Sequence, residues 1–287
     1  MRQLKILRLT IHKMLRNLHT FIRWGLLAAA TGLVIGGFST LFAASLRFVT
    51  DFRTERPWMI FFLPLAGIFI VFLYGLFQYK NDKGTNMVLS TIHAETELPF
   101  KMAPLIFIST VITHLFGGSA GREGAALQLG GSIGNQLGRW FRLDDRDRRI
   151  LVMCGMSAAF SAIFGTPIAA VVFAMEVVSV GVMYYAALVP CVFASLISFK
   201  VANHMGIGPN VFHLLDVPSF QLLPSVKVIV LAMLCAGLSV LFCIILHSLG
   251  DVYRAKLKNP YVRILFSAVI IILLTLCLQT DDYMGAG

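Results

Sequence analysis

Long apolar runs recur along almost the whole chain and limit its fold more than any other feature. The runs are 21–46, 58–77, 102–116, 150–180 (interrupted midway), 184–201, 226–249 and 264–278. A helix crossing a bilayer core needs about 20 mostly apolar residues, so several runs are long enough and the rest are short or broken. None alternates with a period of two, as an outer-membrane barrel would require. The sequence therefore predicts an all-α, multi-pass membrane protein. Pro and Gly inside the runs predict broken and re-entrant helices rather than a simple bundle, and no low-complexity linker divides the chain.

Charge agrees with this reading. The formal net charge of +10 would suggest nucleic acid in a water-soluble protein, but only 13% of residues are charged and the basic ones cluster in a few loops. That is the pattern of membrane orientation, and no nucleic-acid partner is expected. Residues 1–23 hold six Lys/Arg and no acid, and 139–149, "RWFRLDDRDRR", holds five Arg. Both segments are read as cytoplasmic, with 254–263. The stretch between Lys200 and Lys227 lacks Lys and Arg and is read as external. Residues 1–22 form an amphipathic interfacial helix. Leu4, Leu7, Ile11, Met14, Leu15, Leu18 and Ile22 face a membrane, Arg2, Lys5, Arg8, Lys13 and Arg16 face away, and the helix leads into the first span.

The most unusual segment is 117–131, "GGSAGREGAALQLGG", where Arg122 and Glu123 stand among glycines. An ionisable residue at membrane depth is expensive and is treated as functional by default. Gly130, Gly134 and Gly138 recur every four residues, which predicts a helix packed closely on a neighbour. Glu123 then stands at that helix's N-terminus, where free N–H groups and the positive dipole end favour an anion. Burial disfavours the ionised carboxylate and the helix end favours it. Protonation can thus switch a tethered anion that competes with a dissolved one. The alternative is a carboxylate that caps its own helix and pairs with Arg122. A phosphate-binding loop is excluded, because the Gly-Lys-Ser/Thr ending and a preceding strand are missing.

With these residues the chain resembles the CLC chloride channel and anion/proton antiporter family. "GREG" (121–124) is similar to that family's GREGP signature, with Ala125 in the proline position. "GMSAAFSAIFGTPIAAVVFAMEV" (155–177) resembles its two-helix segment with a Thr-Pro break. "HLFGGSAGREGAALQLGG" (114–131) is most similar to the fluoride-exporting branch. The resemblance implies an inverted-repeat architecture, with residues 23–205 as the first transmembrane repeat and 223–287 as the start of a second, incomplete one. The family's GxFxP signature and late tyrosine have no counterpart here, so a truncated chain or fragment is expected.

The resemblance also implies roles. Glu123 would be the gating, proton-carrying carboxylate, and Gly121, Arg122, Gly124 and Ala125 would line the anion site. "GTNMV" (84–88) fills the place of the family's GSGIP, putting Thr85, Asn86 or Met87 near the anion, with Met87 a fluoride-branch feature or simply core. Glu176 would be an internal acid at the cytoplasmic helix end, or a solvated one. Val177 occupies the place of the second acid found in chloride/proton antiporters.

The implied function is fluoride/proton antiport by a plasma-membrane homodimer in contact with lipid, with helices in 150–204 forming much of the dimer face. A voltage-gated-type chloride channel or chloride/proton antiporter is the alternative within the family. An integral-membrane enzyme using Glu123 as general acid or base and a non-transporting remnant are the rivals outside it. No cofactor is expected. His12, His19, His93, His114, His204, His213 and His247 lack paired metal-ligand spacing. Cys154, Cys191, Cys235, Cys243 and Cys277 are read as packing residues, and "DDRDRR" as a solvated loop of mutual ion pairs.

Overall fold

The computed structural model describes residues 2–77 (2–9 as backbone), 87–90, 98–177, 183–208, 221–280 and 282–285. Among these the regular structure is helical throughout, with no strand. The helices are α1 (Arg2–Thr54), α2 (Leu63–Leu76), α3 (Met102–Leu115), α4 (Glu123–Trp140), α5 (Asp145–Phe164), α6 (Pro167–Glu176), α7 (Leu188–His204), α8 (Leu222–Lys256) and α9 (Pro260–Leu278). A 3₁₀ turn, Pro57–Phe62, leads into α2, and residues 87–90 form a helical turn. Five segments are long and apolar enough to cross a membrane: Thr10–Thr54, Pro57–Leu76, Tyr185–His204, Leu222–Lys256 and Pro260–Leu278.

Helix α1 runs unbroken through residue 22, so the boundary drawn there between interfacial and spanning parts is no break in the backbone. At 1.5 Å per residue a helix of this length is about 80 Å long. A whole bilayer is roughly 40–45 Å thick, so α1 must extend well beyond it. Its early apolar residues Ile11, Met14, Leu15, Leu18 and Ile22 are all exposed.

The interior is built around α5, whose residues 150–163 are buried except Phe160. Close contact comes from small residues. A Cβ on Gly130 would collide with the Gly155 carbonyl of α5, and one on Gly134 would lie 2.6 Å from the Leu151 carbonyl. This is the four-residue glycine seam the sequence predicted. A second seam joins α1 to α7, where a Cβ on Gly32 would lie 2.6 Å from the Ala194 carbonyl and one on Gly36 3.0 Å from Ser198 Cα. Hydroxyls add hydrogen bonds between α5 and α7. Ser161 Oγ donates to the Ser195 carbonyl (2.8 Å) and Ser198 Oγ to the Ala158 carbonyl (2.6 Å).

Two sequence expectations are corrected. Most of "DDRDRR" is not loop. Asp144 caps α5 by accepting from the Asp147 amide at 2.7 Å, and residues 145–149 are its opening turns. Acids there suit a helix N-terminus. Ion pairs are present, Arg148–Asp145 at 2.6 Å within the segment and Arg23–Asp147 at 3.2 Å reaching α1. Second, only Cys154 and Cys191 pack in the interior, with their sulfurs 3.9 Å apart. Cys235, Cys243 and Cys277 are exposed on α8 and α9, and α8 buries none of its residues. Helix α5 lies inside the bundle, and within 150–204 the outward apolar side chains are those of α6 and α7, such as Ile168, Val172, Val189 and Leu196.

Candidate functional site at the start of helix α4

The turn between α3 and α4 builds the site. Gly117 follows the end of α3 at φ +76°, a left-handed conformation that suits glycine. The Gly118 amide donates back to the Thr113 carbonyl (2.8 Å) and closes the helix end. The chain then crosses Ser119, Ala120 and Gly121 and re-enters helix at Glu123, with Arg122 as the capping residue and no side-chain cap. The first turn of α4 thus presents uncapped N–H groups and the positive dipole end. A carboxylate stands among them. A Cβ at position 121 would collide with Glu123 Oε2, so the carboxylate lies back over the backbone in space that glycine leaves open.

Glu123 and Gly121 are exposed, where the sequence suggested burial. The first turn of α4 lies at the rim of the bundle, and burial begins at Ala125, 8% exposed, and Ala126, 0%.

Arg122 does not pair with Glu123 among the described residues. Its guanidinium stacks on Phe164, 5.1 Å from the ring centroid. Phe164 packs on Phe160 (4.3 Å) and Phe160 on Phe173 (4.7 Å), so an aromatic cluster at the α5–α6 break holds the cation. The break follows from Gly165 at φ 69° ending α5 and Pro167 opening α6. Gly124 is half-buried behind Glu123.

Residues 121–125 therefore lie together, and of the other expected residues the described ones, Met87 and Glu176, lie apart from them. Met87 is half-buried in the 87–90 turn, and Val88 Cγ1 of that turn is 2.7 Å from a Cβ position on Gly131. Gly131 lies about 12 Å along α4 from Glu123, so this turn packs beside the middle of the helix. Thr85 and Asn86 lie outside the described residues. Glu176 is the exposed last residue of α6, about 13.5 Å along the helix from Pro167.

Two residues beside the site gave no clear signal in the sequence. His114, on the last turn of α3, is 1% exposed, and Arg53, on the last turn of α1, is 7% exposed. Segment 282–285 folds over both. The Gly285 carbonyl accepts from the Ala120 amide at 2.9 Å, and Arg53 Nη1 lies 2.8 Å from Met284 Sδ. Only their positions at the ends of apolar runs could have marked them. Among the described residues no cluster of three or more His, Cys, Asp or Glu could hold a metal ion.

Comparison with known proteins gives this geometry a context. The sequence pattern described as voltage gated chloride channel matches residues 66–287. A chloride/fluoride channel protein of Pseudomonas syringae pv. tomato is 36% identical, over 92% of this chain and 60% of that protein. A H+/Cl− exchange transporter of Cronobacter sakazakii is 27% identical, over 69% of this chain and 46% of that protein. The crystal structure of a CLC-type fluoride/proton antiporter superposes with a TM-score of 0.86 at 32% identity, over 92% of this chain and 67% of that one. The chain thus spans about three-fifths of the length of its 36%-identical relative. Its apolar helices make it an integral membrane protein with a CLC-type fold. By the extent of these matches, the chain belongs to the voltage gated chloride channel family.

Proposed function

We propose that the protein carrying this chain exchanges fluoride for protons across a membrane, with Glu123 as gate and proton carrier. One observation carries the reading: an exposed carboxylate folded back over Gly121 at an uncapped helix N-terminus. It fills the position that such a helix end offers to a dissolved anion. When protonated it loses its attraction to the dipole and leaves that position to a halide. Gly121, Arg122, Gly124 and Ala125 shape the anion site, and Thr85, Asn86 or Met87 contribute from the 84–88 segment.

Fluoride is preferred to chloride because the 36%-identical relative is described as a chloride/fluoride channel and the 32%-identical structure as a fluoride/proton antiporter. Val177 beside Glu176 favours the same choice. Chloride/proton exchange remains the second reading, supported by the relationship to the Cronobacter exchanger. An enzymatic role is disfavoured by family membership.

In this reading residues 1–22 are the part of α1 that projects from the cytoplasmic face of the plasma membrane, with lipid around the turns nearest the span. Residues 23–205 form the first repeat and 223–287 open the second. Two copies pair through the outward faces of α6 and α7.

The test is Glu123→Gln in the full-length protein reconstituted in liposomes. Glutamine is nearly isosteric but carries neither the charge nor the proton. Fluoride-driven proton movement should disappear, while anion flux becomes nearly independent of pH. Proton flux persisting at the wild-type ratio would falsify the gating role.

A further inference from the structure

We propose that the notch between α2, the end of α8 and the start of α9 binds an anionic membrane lipid, with Arg254 and Arg263 holding the headgroup phosphate. A short turn, residues 257–259, joins α8 to α9. Val71 of α2 and residues of both joined helices surround an open cavity of about 470 Å³. Arg254 and Arg263 line it with Tyr253 and Ser267. Among the described residues neither guanidinium has a hydrogen bond or an ion pair, and no acid lines the cavity. Asp251, the nearest acid along the chain, is exposed and lies outside the lining.

The position of the two arginines along their helices fits a headgroup. Helix α9 has 19 residues, about 28 Å of helix, against a hydrocarbon core of about 30 Å. A helix of that length crosses the core only with its ends at headgroup level, so Arg263 on its first turn stands there. Arg254 lies on the last turn of α8 and lines the same cavity. Arg263 also sits where the positive end of the α9 dipole disfavours a cation, and that turn holds no acid to offset it. A phosphate in the cavity meets two guanidinium forks, whose paired donors match its oxygens.

The rest of the lining favours a lipid over a soluble phosphate. Val71, Pro260 and Ile264 form an apolar wall of the same cavity. No atom lies within 4 Å of a Cβ built on Gly250, so α8 leaves room beside that wall for an acyl chain. Phe72 and Phe266, next in sequence to this region, are exposed, and the Tyr253 ring packs on Phe266 at 6.0 Å and adds a hydroxyl to the lining. A free phosphate would satisfy the guanidiniums and leave the apolar wall uncovered. A phospholipid satisfies both, as in basic pockets between other spanning helices.

The experiment titrates the full-length protein in uncharged detergent with short-chain phosphatidylglycerol and reads bound lipid by native mass spectrometry. The controls are phosphatidylcholine, whose headgroup neutralises its own phosphate, and glycerol phosphate, which lacks acyl chains. Wild type should bind phosphatidylglycerol well above both. Arg254→Gln combined with Arg263→Gln should weaken that binding about thirtyfold, or about fivefold for each guanidinium. Lys256→Gln combined with Lys258→Gln removes the same charge beside the cavity without touching its lining and should stay near wild type. An equal loss in the lysine pair makes the effect a diffuse basic surface and overturns the site, as does equal binding of phosphatidylcholine. Glycerol phosphate binding as tightly overturns the lipid and assigns the cavity to a soluble phosphate. Absence of phosphatidylglycerol from wild type means that another part of the full-length protein fills the cavity, and overturns the proposal too. Arg254 is exposed at a helix end, so Arg254→Gln alone decides if the double variant does not fold. A loss of about fivefold is then expected, and wild-type affinity overturns the site.

Discussion

Helices α4 and α8 are made from opposite kinds of residue, and of the two only α8 is among the described helices long and apolar enough to cross a membrane. Helix α4 is rich in Gly and Ala, carries Gln128, Ser132 and Asn135, and is buried from Ala125 to Gly138 except at Gln136. Helix α8 is rich in Leu, Val and Ile and buries nothing, with Leu222 83% and Met233 70% exposed. In water this arrangement would be inverted. In lipid the surroundings are as apolar as leucine, so hydrophobicity does not sort inside from outside and close backbone approach does. Small residues therefore mark the interior, and the candidate gate stands where the small-residue helix begins.

Gly130→Ala is expected to give the largest effect and would break this comparison if it did not. The new Cβ would meet the Gly155 carbonyl, the Ala159 Cβ at 2.7 Å and the Gly155 carbonyl carbon at 2.8 Å. Most of these are backbone atoms with no rotamer to yield. Overpacking costs typically about 1–3 kcal/mol and sometimes more, so thermal unfolding in detergent should move sharply down or monodisperse protein should be lost. An unchanged midpoint would mean that α4 and α5 are not locked together as described.

Ser198→Ala is expected to give a middling effect. Its hydroxyl donates 2.6 Å to the Ala158 carbonyl across the α5–α7 contact. Hydrogen bonds between membrane helices average about 0.6 kcal/mol and reach about 1.7. That carbonyl also lies within helix α5, so alanine leaves no new orphan. A loss of roughly 0.5 kcal/mol is expected. A loss as large as that of Gly130→Ala would show that hydroxyls, rather than glycine seams, hold the bundle.

The sequence revealed the parts of the fold that rest on local pattern. The seam at Gly130, Gly134 and Gly138, the break at Gly165–Pro167 and the position of Glu123 at a helix start were each legible, because each depends on spacing within one short segment. Local pattern does not report contacts between segments far apart in the chain. His114 and Arg53 were missed for that reason. They are brought together by residues 282–285, far away in the chain, and no periodicity within α1 or α3 reports that contact. Cys235 and Cys243 were assigned to packing because they sit in an apolar run, which in a membrane is equally the mark of an outward face.

Gly237→Ala, in α8, is expected to give the smallest effect and the sharpest contrast. It is the same chemical change as Gly130→Ala, made in a helix that buries none of its residues within this chain. No atom lies within 4 Å of a Cβ built on Gly237, so the new methyl has nothing to strike. The remaining effects favour alanine. It restricts the unfolded chain and raises helix propensity by up to about 1 kcal/mol. That gain shrinks where lipid already enforces the helix, because unsatisfied backbone groups are not tolerated there in any state. The net change should lie between zero and a slight stabilisation, opposite in sign to that at Gly130. Thermal unfolding of the two variants measured side by side decides the matter. A marked destabilisation at Gly237 would show that α8 packs closely against protein, and the division into a glycine-sealed interior and a lipid-facing periphery would fail at that helix.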